Sequence, residues 1–183
     1  MCEKLELEDV VVGGLSMGGY VALAFARKYP RLTAGLVLAD TRSGADNESS
    51  KAARDLAIAA VAAHGVHPYC QQLVPTLVSV RNPSACDFAL SIATMQSPAG
   101  VAGALGALRD RPDATSHLSA ITAPTLVLVG AEDTLTPRTE AEKLARGIPG
   151  AELVEIPDAG HLSAIEQPAR FAVAVDRFLH RLK

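Results

Sequence analysis

The 183-residue sequence contains no tryptophan, only 4% aromatic residues and only three cysteines. With so few aromatic side chains the core must be built from alanine, valine, leucine and isoleucine, which suits buried parallel strands covered by helices. The cysteines, Cys2, Cys70 and Cys86, are odd in number and lack C-x-x-C spacing. The sequence therefore indicates neither a disulfide framework nor a zinc site, and we expect no metal and no cofactor.

A strong charge of one sign and long hydrophobic runs are also missing. Lysine and arginine number 17 against 20 aspartates and glutamates, a formal net charge of −3. Without basic blocks, nothing supports nucleic-acid binding. Glycine and charge interrupt the apolar stretches well short of a membrane span, and residues 1–6 have neither the basic nor the apolar region of a signal peptide. We expect a cytoplasmic protein with no membrane or nucleic-acid partner.

What is present is enough for a real core, because 49% of the residues are hydrophobic. The length suits one domain, by the usual range of about 100 to 200 residues. Short β-branched and leucine runs alternate with helical patterns, which predicts an α/β fold: a mostly parallel sheet of about four strands with helices on both faces. The predicted strands are 10–13, 36–39, 124–130 and 151–156. The predicted helices are 17–28, one ending at Gly65, 68–80, 84–95, 98–109, 137–146 and 168–181, with Thr136 as the cap of the sixth.

The polar, turn-rich stretch 41–50 separates the strand pattern from a long helical region. We therefore predict a core made of residues 1–42 and 118–183, with residues 43–117 inserted as a helical cap. In this insertion Gly100, Gly103 and Gly106 recur every third residue. They could form a smooth wall of a substrate pocket or allow close helix packing. We favour close packing, since a helical glycine costs about 1 kcal/mol relative to alanine and needs a packing reason.

The pentapeptide Gly14-Leu15-Ser16-Met17-Gly18 follows a valine run and precedes a helical pattern. A strand turning sharply into a helix at G-x-S-x-G is typical of a nucleophile elbow, in which a strained serine projects its hydroxyl above the sheet. We expect that a Cβ at either Gly14 or Gly18 would collide with the crossing backbone, and that Gly19 is a further position of close approach. The alternative is an ordinary glycine-rich loop.

Two further loops follow predicted strands, and they carry Asp133 and His161. The carboxyl ends of parallel strands share one edge of the sheet, which is where open α/β sheets place their sites. The order Ser16, Asp133, His161 therefore predicts a catalytic triad. Asp40 also ends a strand, but we interpret it as a loop-fixing carboxylate. The remaining competitors are Asp158, His64, His67, His117 and His180.

On the segments 14–18 (GLSMG), 130–133 (GAED) and 160–161 (GH), in this order, the chain resembles the α/β-hydrolase superfamily, and within it the capped bacterial esterases and 3-oxoadipate enol-lactonase-like hydrolases. The resemblance implies Ser16 as nucleophile, His161 as base, Asp133 as its acid partner and the Met17 backbone N–H in the oxyanion hole. We expect a carboxylesterase acting on a small-molecule ester. The alternatives are a lactone hydrolase and a non-catalytic binding or dimerisation module.

One departure from this family concerns the start of the sequence, where only nine residues precede the valine strand. The family has several strands before the nucleophile, and the loop after the third supplies a second oxyanion donor. The only His-Gly pair, His64-Gly65, lies in the predicted cap. The chain is accordingly a minimal hydrolase or a fragment. The strand 10–13, from Val10 to Gly13, would have one unpaired edge, so we expect a homo-oligomer formed through it.

Overall fold

The computed structural model describes Leu5 and residues 7–182. Four strands, β1 (Val10–Leu15), β2 (Thr33–Ala39), β3 (Thr125–Gly130) and β4 (Glu152–Ile156), form one sheet in the order β1-β2-β3-β4. Every neighbouring pair is parallel. The predicted parallel sheet of about four strands with helices is confirmed. Cys2 and nearly all of the segment 1–6 lie outside the described residues.

Eight α-helices connect and follow these strands in the described part of the chain. The helix α1 (Met17–Lys28) crosses from β1 to β2, and α6 (Arg138–Gly147) crosses from β3 to β4. Between β2 and β3 lie four helices in the region predicted to be helical. They are α2 (Glu48–His64), α3 (Val66–Leu77), α4 (Pro83–Ala93) and α5 (Pro98–Asp110), followed by a 3₁₀ helix (Thr115–Ala120). The short α7 (Ser163–Glu166) and the closing α8 (Pro168–His180) complete the fold.

Both faces of the sheet are buried, because the strand side chains alternate between two cores. Leu36 and Leu38 point into a core formed with α1 and α6, where Leu144 is fully buried. The intervening Val37 points into the opposite core, where Phe178 of α8 packs. Burying a leucine or phenylalanine side chain is worth about 1.5 to 3 kcal/mol. Because every neighbouring pair of strands is parallel, all four carboxyl ends meet at one edge of the sheet.

Several element boundaries differ from the predicted ones. Strand β1 continues to Leu15 rather than ending at residue 13, because Gly14 and Leu15 pair with Leu38 and Ala39 of β2. Helix α3 begins at Val66, two residues before its predicted start at Pro68. Proline is tolerated there because backbone N–H groups in the first helical turn have no intrahelical acceptor.

The close-packing interpretation of the glycine stripe is wrong for two of its three members. A Cβ added at Gly103 or Gly106 would meet nothing within 4 Å, and one at Gly100 would meet only the Ser97 hydroxyl oxygen, at 3.0 Å. No neighbouring backbone in the described structure therefore requires glycine at these positions of α5. Gly103 instead borders a cleft that faces α1.

The two edges of the sheet differ in chemistry. On β4 the side chains of Glu152 and Glu155 are exposed. On β1 the side chain of Val11 is 40% exposed. Strand β1 is thus an edge strand among the described residues.

The part of the chain that the structure describes contains neither a single membrane-spanning helix nor a cluster of metal ligands. There, no single helix is long and apolar enough to cross a membrane, while the bent pair α4 and α5, 107° apart, passes on length and composition only. Within the same residues, no group of three or more histidine, cysteine, aspartate or glutamate side chains is placed to hold a metal ion.

Candidate active site

Ser16 lies at the junction between β1 and α1, with φ 52° and ψ −112°. This left-handed φ is strained for a residue with a Cβ and persists only where the surroundings hold it. The Ser16 N–H donates to the carbonyl oxygen of Ala39 at 2.8 Å, and the Ser16 carbonyl accepts from the Thr41 hydroxyl at 2.8 Å. The backbone of the elbow is therefore clamped to the end of β2 from both sides.

Two of the three glycines around Ser16 lie where a Cβ would collide with a neighbouring residue. A Cβ on Gly14 would lie 2.0 Å from the carbonyl oxygen of Gly18, and one on Gly19 would lie 2.5 Å from the Thr41 side chain. The expectation for Gly18 is wrong, since a Cβ there would meet nothing within 4 Å. The crossing brings the Gly18 backbone against Gly14, while the Cβ direction of Gly18 itself points to open space.

The structure brings Ser16, His161 and Asp133 together, each from a loop after a different strand. The His161 Nε2 atom lies 2.7 Å from the Ser16 Oγ atom, and its Nδ1 atom lies 2.9 Å from Asp133 Oδ2. His161 is only 2% exposed. The three side chains form one continuous line of hydrogen bonds that ends at the serine hydroxyl.

The competing residues lie elsewhere. Asp158 pairs with Arg170 at 3.2 Å rather than with the imidazole. The other four histidines lie in different elements: His64 at the end of α2, His67 in α3, His117 in the 3₁₀ helix and His180 at the end of α8.

Asp133 is held in a fixed orientation by its own loop. Its Oδ1 atom accepts the N–H groups of Leu135 and Thr136, both at 2.9 Å, and its Oδ2 atom accepts the Thr136 hydroxyl at 2.8 Å. Burial acts to raise the pKa of Asp133, but the hydrogen bond and charge of His161 and the Thr136 donors together hold this pKa below its usual value. Asp133 is therefore an ionised, oriented acceptor for the imidazole.

Thr136 does not cap the following helix as predicted. The N-cap position of α6 is Pro137, and no side chain caps it. The Thr136 hydroxyl donates instead to Asp133 Oδ2 and lies 3.2 Å from His161 Nδ1. A carboxylate is the stronger acceptor, since charge-assisted hydrogen bonds are about twice as strong as neutral ones. The Asp-x-x-Thr spacing was the signal that could have identified Thr136.

Asp40 fixes loops, in agreement with its sequence interpretation. Its fully buried carboxylate accepts the N–H of Gly130 at 2.9 Å, and the N–H and hydroxyl of Ser163 at 3.2 and 2.5 Å. Burial raises the pKa of Asp40 to about 7, against the lowering effect of these hydrogen bonds. Asp40 therefore ties the end of β3 to the helix that follows the histidine loop.

Glu166 is a site residue that the sequence analysis missed. This buried carboxylate accepts two N–H groups flanking the histidine, from Gly160 at 2.9 Å and Leu162 at 3.2 Å. It also accepts the N–H of Ser79 at 2.8 Å and the Asn82 side-chain amide at 3.1 Å. The His161 N–H in turn donates to the carbonyl oxygen of Leu77 at 2.8 Å. The histidine loop is thus anchored to the segment after α3, and nothing in the local sequence pattern marks Glu166 for this task.

Met17 is the first residue of α1, where a backbone N–H has no intrahelical acceptor. It directly follows Ser16, so its N–H is available to an oxyanion as the sequence analysis expected. The pair His64-Gly65 forms the junction between α2 and α3, with Gly65 at φ 80°. The predicted role of Met17 stays a prediction.

Comparison with known proteins places this geometry in context. Residues 1–168 match the family described as alpha/beta hydrolase fold. A thermophilic esterase structure from Thermogutta terrifontis is 41% identical, with a TM-score of 0.95 over 99% of this chain and 68% of that chain.

Two curated bacterial relatives are similar at lower identity. A poly(3-hydroxyalkanoate) depolymerase from Ectopseudomonas oleovorans is 33% identical over 99% of this chain and 64% of its own length. A protein provisionally named carbamate hydrolase RutD, from Rhizobium rhizogenes, is 31% identical over 96% of this chain and 69% of its own length. The chain thus spans about two thirds of the length of these relatives.

Proposed function

The chain belongs to the alpha/beta hydrolase fold family, and from this premise we propose that it is a serine carboxylesterase that cleaves small esters through an acyl-enzyme on Ser16. The observation that carries the proposal is the line of hydrogen bonds from Ser16 Oγ through the His161 ring to Asp133 Oδ2, at 2.7 and 2.9 Å. The similarity to an esterase structure at 41% identity supports ester hydrolysis in general terms.

In the first half of the reaction Ser16 attacks the ester carbonyl carbon. A serine hydroxyl is barely ionised at neutral pH, so His161 Nε2 takes its proton as the new C–O bond forms. Asp133 accepts a hydrogen bond from Nδ1–H, which keeps the lone pair of Nε2 directed at Ser16 and stabilises the imidazolium. The Met17 N–H donates to the negative oxygen of the tetrahedral intermediate. His161 then gives its proton to the departing alcohol.

In the second half water replaces the alcohol. His161 removes a proton from the water as it attacks the acyl carbon, and returns that proton to Ser16 Oγ as the acyl-oxygen bond breaks. The net reaction consumes one ester and one water and yields one acid and one alcohol. A lactone would follow the same steps, with the alcohol remaining attached to the acid.

The decisive experiment combines turnover with covalent labelling. Wild-type protein should hydrolyse p-nitrophenyl acetate, and Ser16→Ala and His161→Ala should each lower kcat by about 10⁴- to 10⁶-fold without adding in the double variant. A fluorophosphonate probe should modify Ser16, as located by mass spectrometry. The exposed Ser91 of α4 provides the control: Ser91→Ala should keep wild-type turnover and labelling.

Three outcomes would contradict the proposal. Turnover in Ser16→Ala equal to wild type would exclude the acyl-enzyme. Hydrolysis of γ-lactones with no reaction on linear esters would favour the lactone hydrolase. A folded wild-type protein inert to every ester and to the probe would leave the binding or dimerisation module as the better explanation.

A further inference from the structure

A cleft of about 790 Å³ lies between α1, α5 and the segment that follows α5. This volume falls within the range of about 300 to 1,000 Å³ typical of small-molecule sites. On the α1 side its wall includes Met17, Val21 and Ala24. Met17 directly follows Ser16, so one end of the cleft lies next to the turn that carries Ser16, although Ser16 itself does not line the cleft. Substrate groups attached to the reacting carbonyl could extend into it.

The opposite wall, on α5, contains three small residues beside Leu108 and Asp110. Gly103, Ala104 and Ala107 all line the cleft, and Leu23 and Leu118 contribute apolar surface from the core. Gly103 and Ala107 are one helical turn apart, so they share one face of α5. A Cβ at Gly103 would meet nothing within 4 Å. The small wall leaves room that a larger side chain would fill.

The cleft is preformed near its α5 end. The guanidinium of Arg111, whose side chain is 8% exposed, stacks on the Tyr20 ring at 4.2 Å. It also binds the Asp46 carboxylate and the carbonyl oxygens of Gly44 and Leu108, each at 2.8 Å. Because every one of these contacts is made within the chain, Arg111 and Tyr20 hold the wall without a bound molecule.

The shape of the cleft is elongated. Its α1 wall reaches from Met17 to Arg27, ten residues further along the chain, which corresponds to about 15 Å along a helix axis. At the far end Arg27 lies 3.5 Å from the ring of His117, so polar groups close a predominantly apolar channel. An elongated apolar cleft that begins beside the turn carrying Ser16 has room for an unbranched hydrocarbon chain.

We propose that this cleft binds the aliphatic chain of the substrate, so that the enzyme acts preferentially on medium-chain aliphatic esters rather than on acetates. The proposal rests on the esterase function proposed above. The contact between the substrate's aliphatic chain and the cleft would be maintained in the transition state. Binding energy from such non-reacting groups raises kcat/KM. Each methylene that becomes buried should raise kcat/KM about fourfold.

Two blocking variants and one matched control test the cleft. Gly103→Leu and Ala107→Leu place the same side chain at two positions of the α5 wall. Gly106→Leu is the control, because it lies on the same helix and also has nothing within 4 Å of its Cβ, but does not line the cleft. The substrates are p-nitrophenyl acetate, p-nitrophenyl octanoate and octyl acetate. Comparing the last two substrates shows whether the aliphatic chain that binds the cleft belongs to the acyl part or to the alcohol part of the ester.

Wild-type protein should prefer one of the two octyl substrates to p-nitrophenyl acetate by at least about tenfold in kcat/KM. Both blocking variants should lower kcat/KM for that substrate by about tenfold or more, with p-nitrophenyl acetate changed less than about twofold. Gly106→Leu should match wild type on all three. If the blocking variants and the control behave alike, or if wild type shows no preference while Ser16-dependent acetate hydrolysis persists, the cleft proposal fails and the esterase proposal stands.

Direct measurement of ligand binding tests the cleft independently of ester hydrolysis. Octanoate should bind wild-type protein by calorimetry and shift the methyl resonance of Met17, while leaving that of the exposed Met95 in place. Gly103→Leu should weaken this binding, even if no ester is hydrolysed and the esterase proposal fails. Absence of binding would overturn the cleft proposal. So would sedimentation that differs between Gly103→Leu and wild type with unchanged chain-length preference, since the cleft would then contact a second copy of the chain.

Discussion

The carbonyl oxygen of Gly18 lies 2.0 Å from the position that a Cβ on Gly14 would occupy. The reverse relationship does not hold, because a Cβ on Gly18 would meet nothing within 4 Å. The two glycines of the elbow therefore differ in what they contribute. Gly14 permits the contact between strand and helix, whereas Gly18 supplies a backbone for that contact.

We predict that Gly14→Ala lowers the free energy of unfolding by about 3 kcal/mol or more, because backbone atoms cannot move aside as a side chain can. In a chain of this size, that corresponds to a loss of about 6 to 12 °C in Tm. Gly18→Ala should leave Tm unchanged or raise it slightly, since alanine is favoured over glycine in a helix by about 1 kcal/mol. Calorimetry on the two variants measures this difference in Tm. Equal Tm values would contradict the different roles of Gly14 and Gly18.

Asp133→Asn and Asp40→Asn provide a matched pair for the acid partner of His161. Asparagine at position 133 can present its amide to Nδ1 and favour the wrong tautomer, so kcat should fall by up to about 10⁴-fold. At position 40 the same change lies outside the line of hydrogen bonds to Ser16, and kcat should fall less than about tenfold. Esterase kinetics distinguish the two, and the opposite ranking would transfer the acid role to Asp40.

The pKa of Asp40, raised by burial to about 7, predicts a specific pH dependence of stability. Between its ordinary value of 3.8 and about 7, the folded state binds more protons than the unfolded state, so the free energy of unfolding falls as pH rises through this window. The lowered pKa of Asp133 acts separately, because its stabilisation is lost only as pH falls below 3.8. Urea unfolding at pH 4.5 and 8 should show a larger decrease in wild type than in Asp40→Asn. A parallel decrease in both would refute this assignment.

Glu166→Gln should reduce kcat while leaving KM within about twofold, because the loop carrying His161 would lose part of its anchor. An amide has one acceptor oxygen for four donors, and each buried donor left unpaired costs about 1 to 3 kcal/mol. Glu155→Gln is the control, since Glu155 pairs with Arg138 on the surface, where such pairs contribute about 0 to 1 kcal/mol. To separate positioning from lost stability, Phe178→Leu in the core beneath α8 serves as a second destabilised variant. A fall in kcat that merely follows Tm in both variants would leave Glu166 without a specific role.

We predict that the chain forms a homo-oligomer through the exposed edge of β1. Val11 is 40% exposed on an edge strand, and unpaired strand edges favour association with another chain. Sedimentation velocity should show a dimer or larger species for wild type and weaker association for Val11→Lys. Val80→Lys, at a residue 95% exposed after α3, is the control and should associate like wild type. A wild-type monomer at micromolar concentration would contradict the prediction.

The amino-acid sequence was sufficient to predict the features that depend on local pattern. Valine and leucine runs between helical patterns predicted the parallel sheet, and the glycines around Ser16 predicted the sharp turn that places this serine at φ 52°. The order of Ser16, Asp133 and His161 along the chain identified three side chains that the fold brings together, with His161 within hydrogen-bond distance of both others. Each lies just after a strand, and the carboxyl ends of parallel strands must share an edge.

The tertiary structure alone decided features that depend on contacts between distant segments. Glu166 accepts a hydrogen bond from Ser79, 87 residues away, and Asp40 accepts one from Ser163, 123 residues away. No periodicity or short motif records such a pairing, because it arises only when helices and loops pack. For the same reason the sequence could not show that Gly18 faces open space or that Gly103 lines a cleft. Local backbone preference places a residue on an element, and packing determines what its side chain meets.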